Sequence, residues 1–188
     1  MSEEPVTTVK CEDIARHSSL VPRGGGPKRC SLSCQDCSMS TWNIFAAAEP
    51  DLARRVRDLF TAHKHHTMAT LRKDGSPRIS GTEVAFADDG LALGIMAGAL
   101  RALDLRRDAR IALHSSTADP DDDPTLWPGD AKISGTASEV EGHDGPPGSH
   151  RFLINLTEVV ITRVGTPADH LVIETWHPAQ GLRRVERR

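Results

Sequence analysis

The hydrophobic positions of the chain change their period close to residue 67, and this change separates a helical segment from a β-rich remainder. Between residues 49 and 62 the apolar positions that recur at helical spacing are Leu52, Val56, Leu59 and Phe60. This spacing predicts an amphipathic helix with one apolar stripe facing a core. Pro50 suits the first turn of that helix, and Asp51 lies where the helix dipole favours negative charge. From Thr67 onwards the period is two, which is typical of strands.

Turn signals divide the β-rich part into short predicted strands. The sequences Asp-Gly-Ser-Pro at residues 74–77 and Ala-Asp-Asp-Gly at residues 87–90 predict turns between three strands of a meander. The seven predicted strands cover residues 67–71, 78–86, 91–96, 109–114, 132–140, 152–163 and 170–175. A short helix is predicted over residues 100–107. Many short strands with one or two helices favour a mainly β, α+β domain, built as an antiparallel barrel instead of a parallel sheet.

The chain of 188 residues has the length of one domain, and its first 38 residues differ from the rest. They show no sustained apolar period, and the run Pro-Arg-Gly-Gly-Gly-Pro at residues 22–27 interrupts any regular element. Met39 stands where the composition changes. We therefore expect residues 1–38 to be a disordered or over-extended N-terminal leader, and residues 39–188 to form the folded domain.

The charge distribution and the hydropathy of the chain argue against two classes of partner. The formal net charge is -3, and the basic residues are scattered among acids, so no electrostatic footprint for nucleic acid stands out. No window approaches the roughly 20 apolar residues of a membrane span, and the acidic N-terminus differs from a secretory signal. We expect a cytoplasmic protein that binds neither nucleic acid nor a membrane.

All four cysteines, Cys11, Cys30, Cys34 and Cys37, lie in the predicted leader, so disulfides do not stabilise the predicted domain. Four thiolates are chemically complete for a tetrahedral zinc ion. The spacing of the last three also matches the iron–sulfur triad of radical enzymes, but those enzymes need a large barrel that the remaining residues are too few to build. We expect no metal, with a zinc site on these four cysteines as the alternative.

The order of the predicted elements and two sequence motifs resemble those of the pyridoxamine-phosphate-oxidase-like, FMN-binding split-barrel family. The motifs are Asp-Gly-Ser-Pro-Arg-Ile-Ser at residues 74–80 and Leu-Arg-Arg-Asp-Ala-Arg-Ile-Ala-Leu at residues 105–113. The resemblance covers about half of the chain. It implies an antiparallel, six- to seven-stranded split β-barrel with two or so short flanking helices, a flavin at the interface of a homodimer, and oxidoreductase chemistry.

The resemblance also implies which residues bind the cofactor. Family members hold the flavin partly along the strand after the first hairpin, which here contains Ser80, Gly81, Thr82 and Glu83, and Met96 ends the next predicted strand. Short side chains and a glycine allow backbone groups to approach an isoalloxazine edge. The alternative interpretation has equal weight: Gly81 marks a β-bulge, and Ser80 and Thr82 face water.

The cofactor phosphate is usually bound in this family by two cations just before the short helix. The corresponding residues here are Gly98, Ala99, Leu100 and Arg101, so leucine replaces one of the two cations. Arg101 can still bind a phosphate bidentately, or it is simply a solvated helix residue. The resemblance therefore implies FMN, with the deazaflavin coenzyme F(420), or loss of the cofactor, as alternatives.

The C-terminal region loosely resembles the tail of the true oxidases, in which a tryptophan and an arginine help to enclose cofactor and substrate. Trp176 either stacks on the flavin or plugs the end of the barrel, which is the commoner position of a single tryptophan. No histidine follows Arg183, so we do not expect oxidation of pyridoxamine phosphate itself. The expected function is hydride transfer to or from a small organic substrate at the dimer interface, with the catalytic residues unassigned; a non-catalytic flavin- or ligand-binding or sensor module is the alternative.

Overall fold

Three α-helices form in the described part of the chain. In the computed structural model, α1 covers Trp42–Ala48, α2 covers Pro50–Thr61 and α3 covers Leu100–Arg107, and a single 3-10 turn covers Pro124–Leu126. α2 and α3 confirm the two predicted helices, and the predicted apolar stripe of α2 is buried. α1 was not predicted, because seven residues are too few to show a helical period.

The structure describes residues 39–120 and 122–188. The predicted leader and its four cysteines lie outside these residues, so the expectations for the leader and for a zinc site stay predictions. Within the described ranges, no helix is both long enough and apolar enough to cross a membrane.

The strands are all antiparallel, as predicted. They are β1 His66–Leu71, β2 Pro77–Thr82, β3 Val84–Ala87, β4 Gly90–Ile95, β5 Arg110–His114, β6 Asp130–Val140, β7 His150–Val164, β8 Leu171–His177 and β9 Gly181–Arg187. Two differences from the prediction raise the number to nine. The predicted strand over residues 78–86 is interrupted at Glu83, and β9 was not predicted.

The order of the strands shows why the barrel is split. The sheet runs β2-β1-β5-β6-β7-β4-β3, while β8 pairs with the second half of β7 and β9 pairs with β8. β2 and β3 therefore lie at opposite ends of the order, although only Glu83 separates them in the chain. In the described residues no hydrogen-bonded ladder joins β2 to β3 or β4. The sheet curls until its two ends meet at Glu83 but does not close, which confirms the split barrel.

Aromatic side chains connect the two N-terminal helices to the barrel. Trp42 of α1 contacts Phe86 of β3 with ring centroids 4.6 Å apart, and Phe45 contacts Trp176 of β8 at 4.7 Å. Phe60 of α2 lies beside His66 at the start of β1. Since aromatic side chains bury large apolar areas, these contacts make α1 and α2 part of the core.

Candidate functional site

The predicted cofactor residues of β2 do not share one face of the strand. Successive side chains alternate, so Ile79 and Gly81 face outwards, whereas Ser80 and Thr82 point towards the interior. Thr82 is buried, and its hydroxyl donates to the carbonyl oxygen of Glu83. The β1–β2 ladder is regular through Gly81, so this glycine is not a bulge. No protein atom lies within 4 Å of the position that a Cβ of Gly81 would take, which leaves its backbone open to a ligand or a partner.

Glu83 lies at the break between β2 and β3 and is held towards the start of β1. Its carboxylate is 3.4 Å from Nζ of Lys64 and 3.8 Å from Nδ1 of His65. All three side chains are more than half exposed, so these contacts are weak. Glu83 is therefore accessible, but it adds negative charge to its part of the predicted cofactor site.

The residues before and inside the first turn of α3 form the most distinctive part of the candidate site. Met96, at the end of β4, is 74% exposed. Gly98 has a φ of +73°, a conformation that glycine adopts without strain, and it lets the chain turn into the helix. Ala99 occupies the N-cap and provides no side-chain acceptor, so the amide groups of Leu100 and Arg101 stay available, whereas that of Ala102 donates to the carbonyl oxygen of Ala99.

Arg101 lies in this first turn and lacks a partner. It is half-buried, its Nε is completely buried, and it forms no hydrogen bond or ion pair with any residue of 39–120 or 122–188. A buried guanidinium donor without an acceptor is costly, because its hydration has been lost without replacement. Together with the amide groups of α3, Arg101 offers a binding position for an anion.

A buried carboxylate fixes α3 to the β1–β2 hairpin. Asp104 accepts hydrogen bonds from Nε of Arg78 at 2.6 Å, from Nη2 of Arg107 at 3.0 Å and from the hydroxyl of Thr70 at 3.1 Å. Arg107 also donates to the carbonyl oxygen of Leu71. Burial alone would raise the pKa of Asp104, but the hydrogen bonds from Arg78, Arg107 and Thr70 outweigh it and lower the pKa below its usual value. The sequence analysis did not identify this cluster, because its members are distant in the chain.

The same cluster borders a basic groove of about 630 Å³. Arg72 and Lys73 of the hairpin turn line the groove, and the half-exposed side chains of Leu100 and Leu103 form its apolar side. Four cations and two carboxylates face this groove in all, so its charge is positive. Leu100 connects it to the first turn of α3, where Arg101 is found.

A second groove, of about 670 Å³, lies on the outer side of β4. The small residues Ala85, Ala92 and Gly94 line it, and Met96 lines it as well. The loop over residues 141–149 contributes the opposite wall. The volume falls in the range of small-molecule sites, and small side chains permit the close approach of a flat ring.

Arg151 and His150, at the wall of this second groove, are already paired with carboxylates. Arg151 forms two hydrogen bonds with Asp89, at 2.7 and 2.8 Å, and Nδ1 of His150 lies 2.9 Å from Glu139. Glu139 is also bound by Arg106 at 2.6 Å. These pairs leave Arg151 and His150 unavailable as primary ligands for an anion.

Trp176 is a core residue. Its ring is 3% exposed and packs against Phe45, which agrees with the interpretation of this tryptophan as a plug of the barrel. It shares no groove with Met96 or Arg101. Among the described residues there is also no group of three or more histidine, cysteine or acidic side chains arranged to hold a metal ion.

On the outer side of the sheet, small side chains cover one end. One cross-strand row consists of Ile79, Ala69, Ala112, Ser134 and Glu158. The next row consists of Gly81, Thr67, His114, Lys132, Val160 and Thr175. Outward positions of a sheet in water are usually polar and long, whereas four of the six positions of these two rows on β1, β2 and β5 are Ala, Thr or Gly. We call this surface, which includes Gly81, the outer face.

Comparison with known proteins supports the fold. No family model and no curated protein matches the chain. The structure is similar to a pyridoxamine 5'-phosphate oxidase-related, FMN binding protein from Nostoc punctiforme, with a TM-score of 0.53 and 11% identity over 77% of this chain and 97% of that protein. It is similar to Campylobacter jejuni ChuZ, with a TM-score of 0.50 and 8% identity over 66% of this chain and 59% of that protein. A heme binding protein from Mycobacterium smegmatis has a TM-score of 0.48 and 14% identity over 73% of this chain and 88% of that protein.

These similarities concern the fold alone, because the identities are low. The chain adopts the split-barrel fold of the pyridoxamine 5'-phosphate oxidase-related protein from Nostoc punctiforme, so the fold implied by the resemblance in the sequence is confirmed. The protein is therefore a mainly antiparallel split barrel. At the start of α3 it carries a half-buried arginine, Arg101, that has no partner among the described residues.

Proposed function

We propose that this protein binds a flavin-type cofactor in a homodimer and transfers a hydride between that cofactor and a small organic substrate. FMN is the first choice of cofactor, and the deazaflavin coenzyme is the alternative. A cytoplasmic location belongs to the same proposal. The observation that supports it best is Arg101, a cation without a partner beside the uncapped N-terminus of α3, on a barrel with the fold of an FMN binding protein.

The described residues are suited to bind the phosphate end of such a cofactor. Arg101 and the first amide groups of α3 would hold the phosphate, because an orphaned guanidinium and free N–H groups both gain hydrogen bonds from it. Gly81 and Met96 are exposed residues that would contact the ring system. When bound, the flavin itself supplies the hydride chemistry, and the protein contributes binding, orientation and the exclusion of water.

The outer face supports the homodimer. A second copy could pack closely on Thr67, Ala69 and Ala112, since their short side chains let another backbone approach. Ile79, which is 76% exposed, would then be buried along with them. Because Gly81 belongs to this outer face, a cofactor that contacts its backbone would lie at the border of the two copies.

A titration of the purified full-length protein with FMN, with the deazaflavin coenzyme and with hemin tests the proposal. We expect one of the two flavins to bind in the micromolar range or below, with a change in its visible absorption and a quenching of its fluorescence. Binding of hemin without binding of either flavin, or no binding of any of the three, would contradict it.

A non-catalytic flavin-binding or sensor module is the second candidate. It is favoured by Leu100, which stands where the resemblance implies a second cation for the phosphate. The two functions differ in whether the bound flavin passes through repeated cycles of reduction and reoxidation. A bound flavin that is reduced by a nicotinamide cofactor and reoxidised by an added acceptor over many cycles supports the oxidoreductase, whereas stable binding without such cycles supports the module.

A further inference from the structure

A separate apolar groove lies between α2 and the second half of β7. Its volume is about 450 Å³, which is sufficient for a small organic ligand. Leu59 of α2 and its C-cap residue Ala62 form one wall, and Ile161 and Pro128 also line the groove. It shares no residue with the two grooves near α3 and β4. A ligand bound here would therefore be additional to the proposed flavin.

Two guanidinium groups of this groove share a single carboxylate. Arg55 donates two hydrogen bonds to Glu174, at 2.6 and 2.9 Å, and so uses both carboxylate oxygens. Glu174 is only 12% exposed in its side chain. The hydrogen bond from Arg55 outweighs the effect of burial and keeps the pKa of Glu174 below its usual value, so the carboxylate stays ionised and is already committed to Arg55.

Arg163, the second guanidinium, is poorly satisfied. Its Nε is 3.9 Å from Glu174, which is too long for a hydrogen bond. Among the described residues it forms one hydrogen bond, of 3.4 Å, to the carbonyl oxygen of Val164. Asp58 also lines the groove, but its carboxylate pairs with Arg54 at 3.4 Å and both side chains are 64% exposed. One positive charge is therefore left without a matching anion at the end of an apolar groove.

We propose that this groove binds a monocarboxylate with an unbranched apolar chain. Its carboxylate would pair with Arg163, and its chain would lie along Leu59, Ala62 and Ile161. The excess of one cation matches one carboxylate, and a planar guanidinium suits carboxylate geometry. The apolar walls would remove the hydrocarbon chain from water, which adds affinity in proportion to the area buried.

Calorimetric titration of the full-length protein with octanoate tests this site, with 1-octanol and octylamine as uncharged and cationic analogues of the same length. We expect octanoate to bind at least about tenfold more tightly than octanol, because a hydrogen bond to a charged group contributes more than the free energy of one tenfold step. Octylamine should not bind. No binding of octanoate at millimolar concentration overturns the proposal. Equal binding of octanol also overturns it, because the charge of Arg163 would then contribute nothing to the affinity.

Two variants locate the site. Arg163→Gln should weaken octanoate at least about tenfold and leave octanol unchanged. Ala62→Phe should block both, because the aromatic ring would fill the groove. Arg57→Gln, which removes an exposed arginine of the same helix that neither lines the groove nor pairs with a lining residue, is the matched control and should bind octanoate like the wild type. Thermal unfolding without ligand checks that all three variants are folded, and unchanged octanoate binding in folded Arg163→Gln and Ala62→Phe contradicts the proposal.

Discussion

The carboxylate of Asp104 in α3 accepts a hydrogen bond of 2.6 Å from Nε of Arg78 in β2. Asp104 is 3% exposed, so its charge has lost nearly all of its contact with water. Arg78, Arg107 and Thr70 replace that hydration, and Arg107 extends the connection to Leu71 of β1. This cluster determines how α3 sits on the hairpin, and thereby the position of the first helical turn that contains Arg101.

Replacing Asp104 by asparagine should destabilise the protein by about 2–4 kcal/mol, because Arg78 and Arg107 would face a buried amide instead of a carboxylate. Urea unfolding followed by circular dichroism measures the change. Asp108→Asn is the control, since it removes an equally short pair with Arg110 that lies in solvent, and it should change stability little. Equal effects of the two variants would show that burial of Asp104 has no energetic importance.

The contribution of Asp104 should depend on pH. Its folded-state pKa is lowered below the unfolded value of about 3.9, so the ionised form stabilises the fold. This stabilisation is complete above the unfolded pKa and disappears as the pH falls through the folded pKa. The difference in unfolding free energy between wild type and Asp104→Asn should thus be constant from about pH 8 to pH 5 and decrease below about pH 4. A difference that grows on acidification would contradict the sign of this shift.

Arg101→Gln should weaken the binding of FMN or of the deazaflavin coenzyme by about tenfold or more, because it removes the charge-assisted hydrogen bond to the phosphate. Fluorescence quenching of the flavin measures the affinity. Riboflavin, which lacks the phosphate, should bind wild type and variant equally. Arg110→Gln, at an exposed arginine of β5, is the matched control. An equal loss for riboflavin would indicate a structural role for Arg101.

Leu100→Arg should restore a second cation beside Arg101 and strengthen FMN binding by about threefold to fivefold, which is the contribution of a largely exposed charge pair. Leu103→Arg, one turn further along the same helix, adds the same charge away from the first turn and serves as control. The FMN affinities of the two variants should change by different amounts when the salt concentration is lowered. If Leu103→Arg strengthens FMN binding as much as Leu100→Arg, the gain comes from net charge and not from a phosphate site.

Ala112→Arg should convert the proposed dimer to a monomer, because a long charged side chain would project from the outer face where the second copy is proposed to pack. Size-exclusion chromatography with light scattering measures the mass. Ala47→Arg, at an exposed position of α1, is the control and should stay dimeric. Flavin affinity should fall together with dimerisation in the first variant only. A monomeric wild type would contradict the assignment of the outer face.

Local periodicity was sufficient for much of the fold. The apolar spacing of α2 and the alternation in β1 appear in the sequence because each element must present one face to a core, and the turn residues separate β1 from β2 and β3 from β4. β9 was not predicted, because it does not need to present an apolar face to a core. It is an exposed edge strand in which Arg183, Arg184, Glu186 and Arg187 occupy most positions, so it has no apolar period.

The interruption at Glu83 could not be read from the chain either. Residues 78–86 contain no turn signal, and the break is needed only because the two ends of the sheet meet there. In the site, the motif at residues 98–101 pointed to Arg101 and to the loss of a cation at Leu100. Whether Arg101 already had a partner, and whether Trp176 was free to contact a ligand, depended on what packs around them.

The sequence by itself determined the local elements, the antiparallel β class and the resemblance that led to Arg101, because these depend on neighbouring residues and short spacings. Tertiary structure alone decided the split between β2 and β3, the composition of the outer face and the pairing of charges. Asp104 and Arg78 are 26 residues apart, and Arg55 and Glu174 are 119 apart. Each pair joins a helix to a strand, so the packing of α3 and α2 against the sheet brings these residues together, and no local pattern specifies that packing.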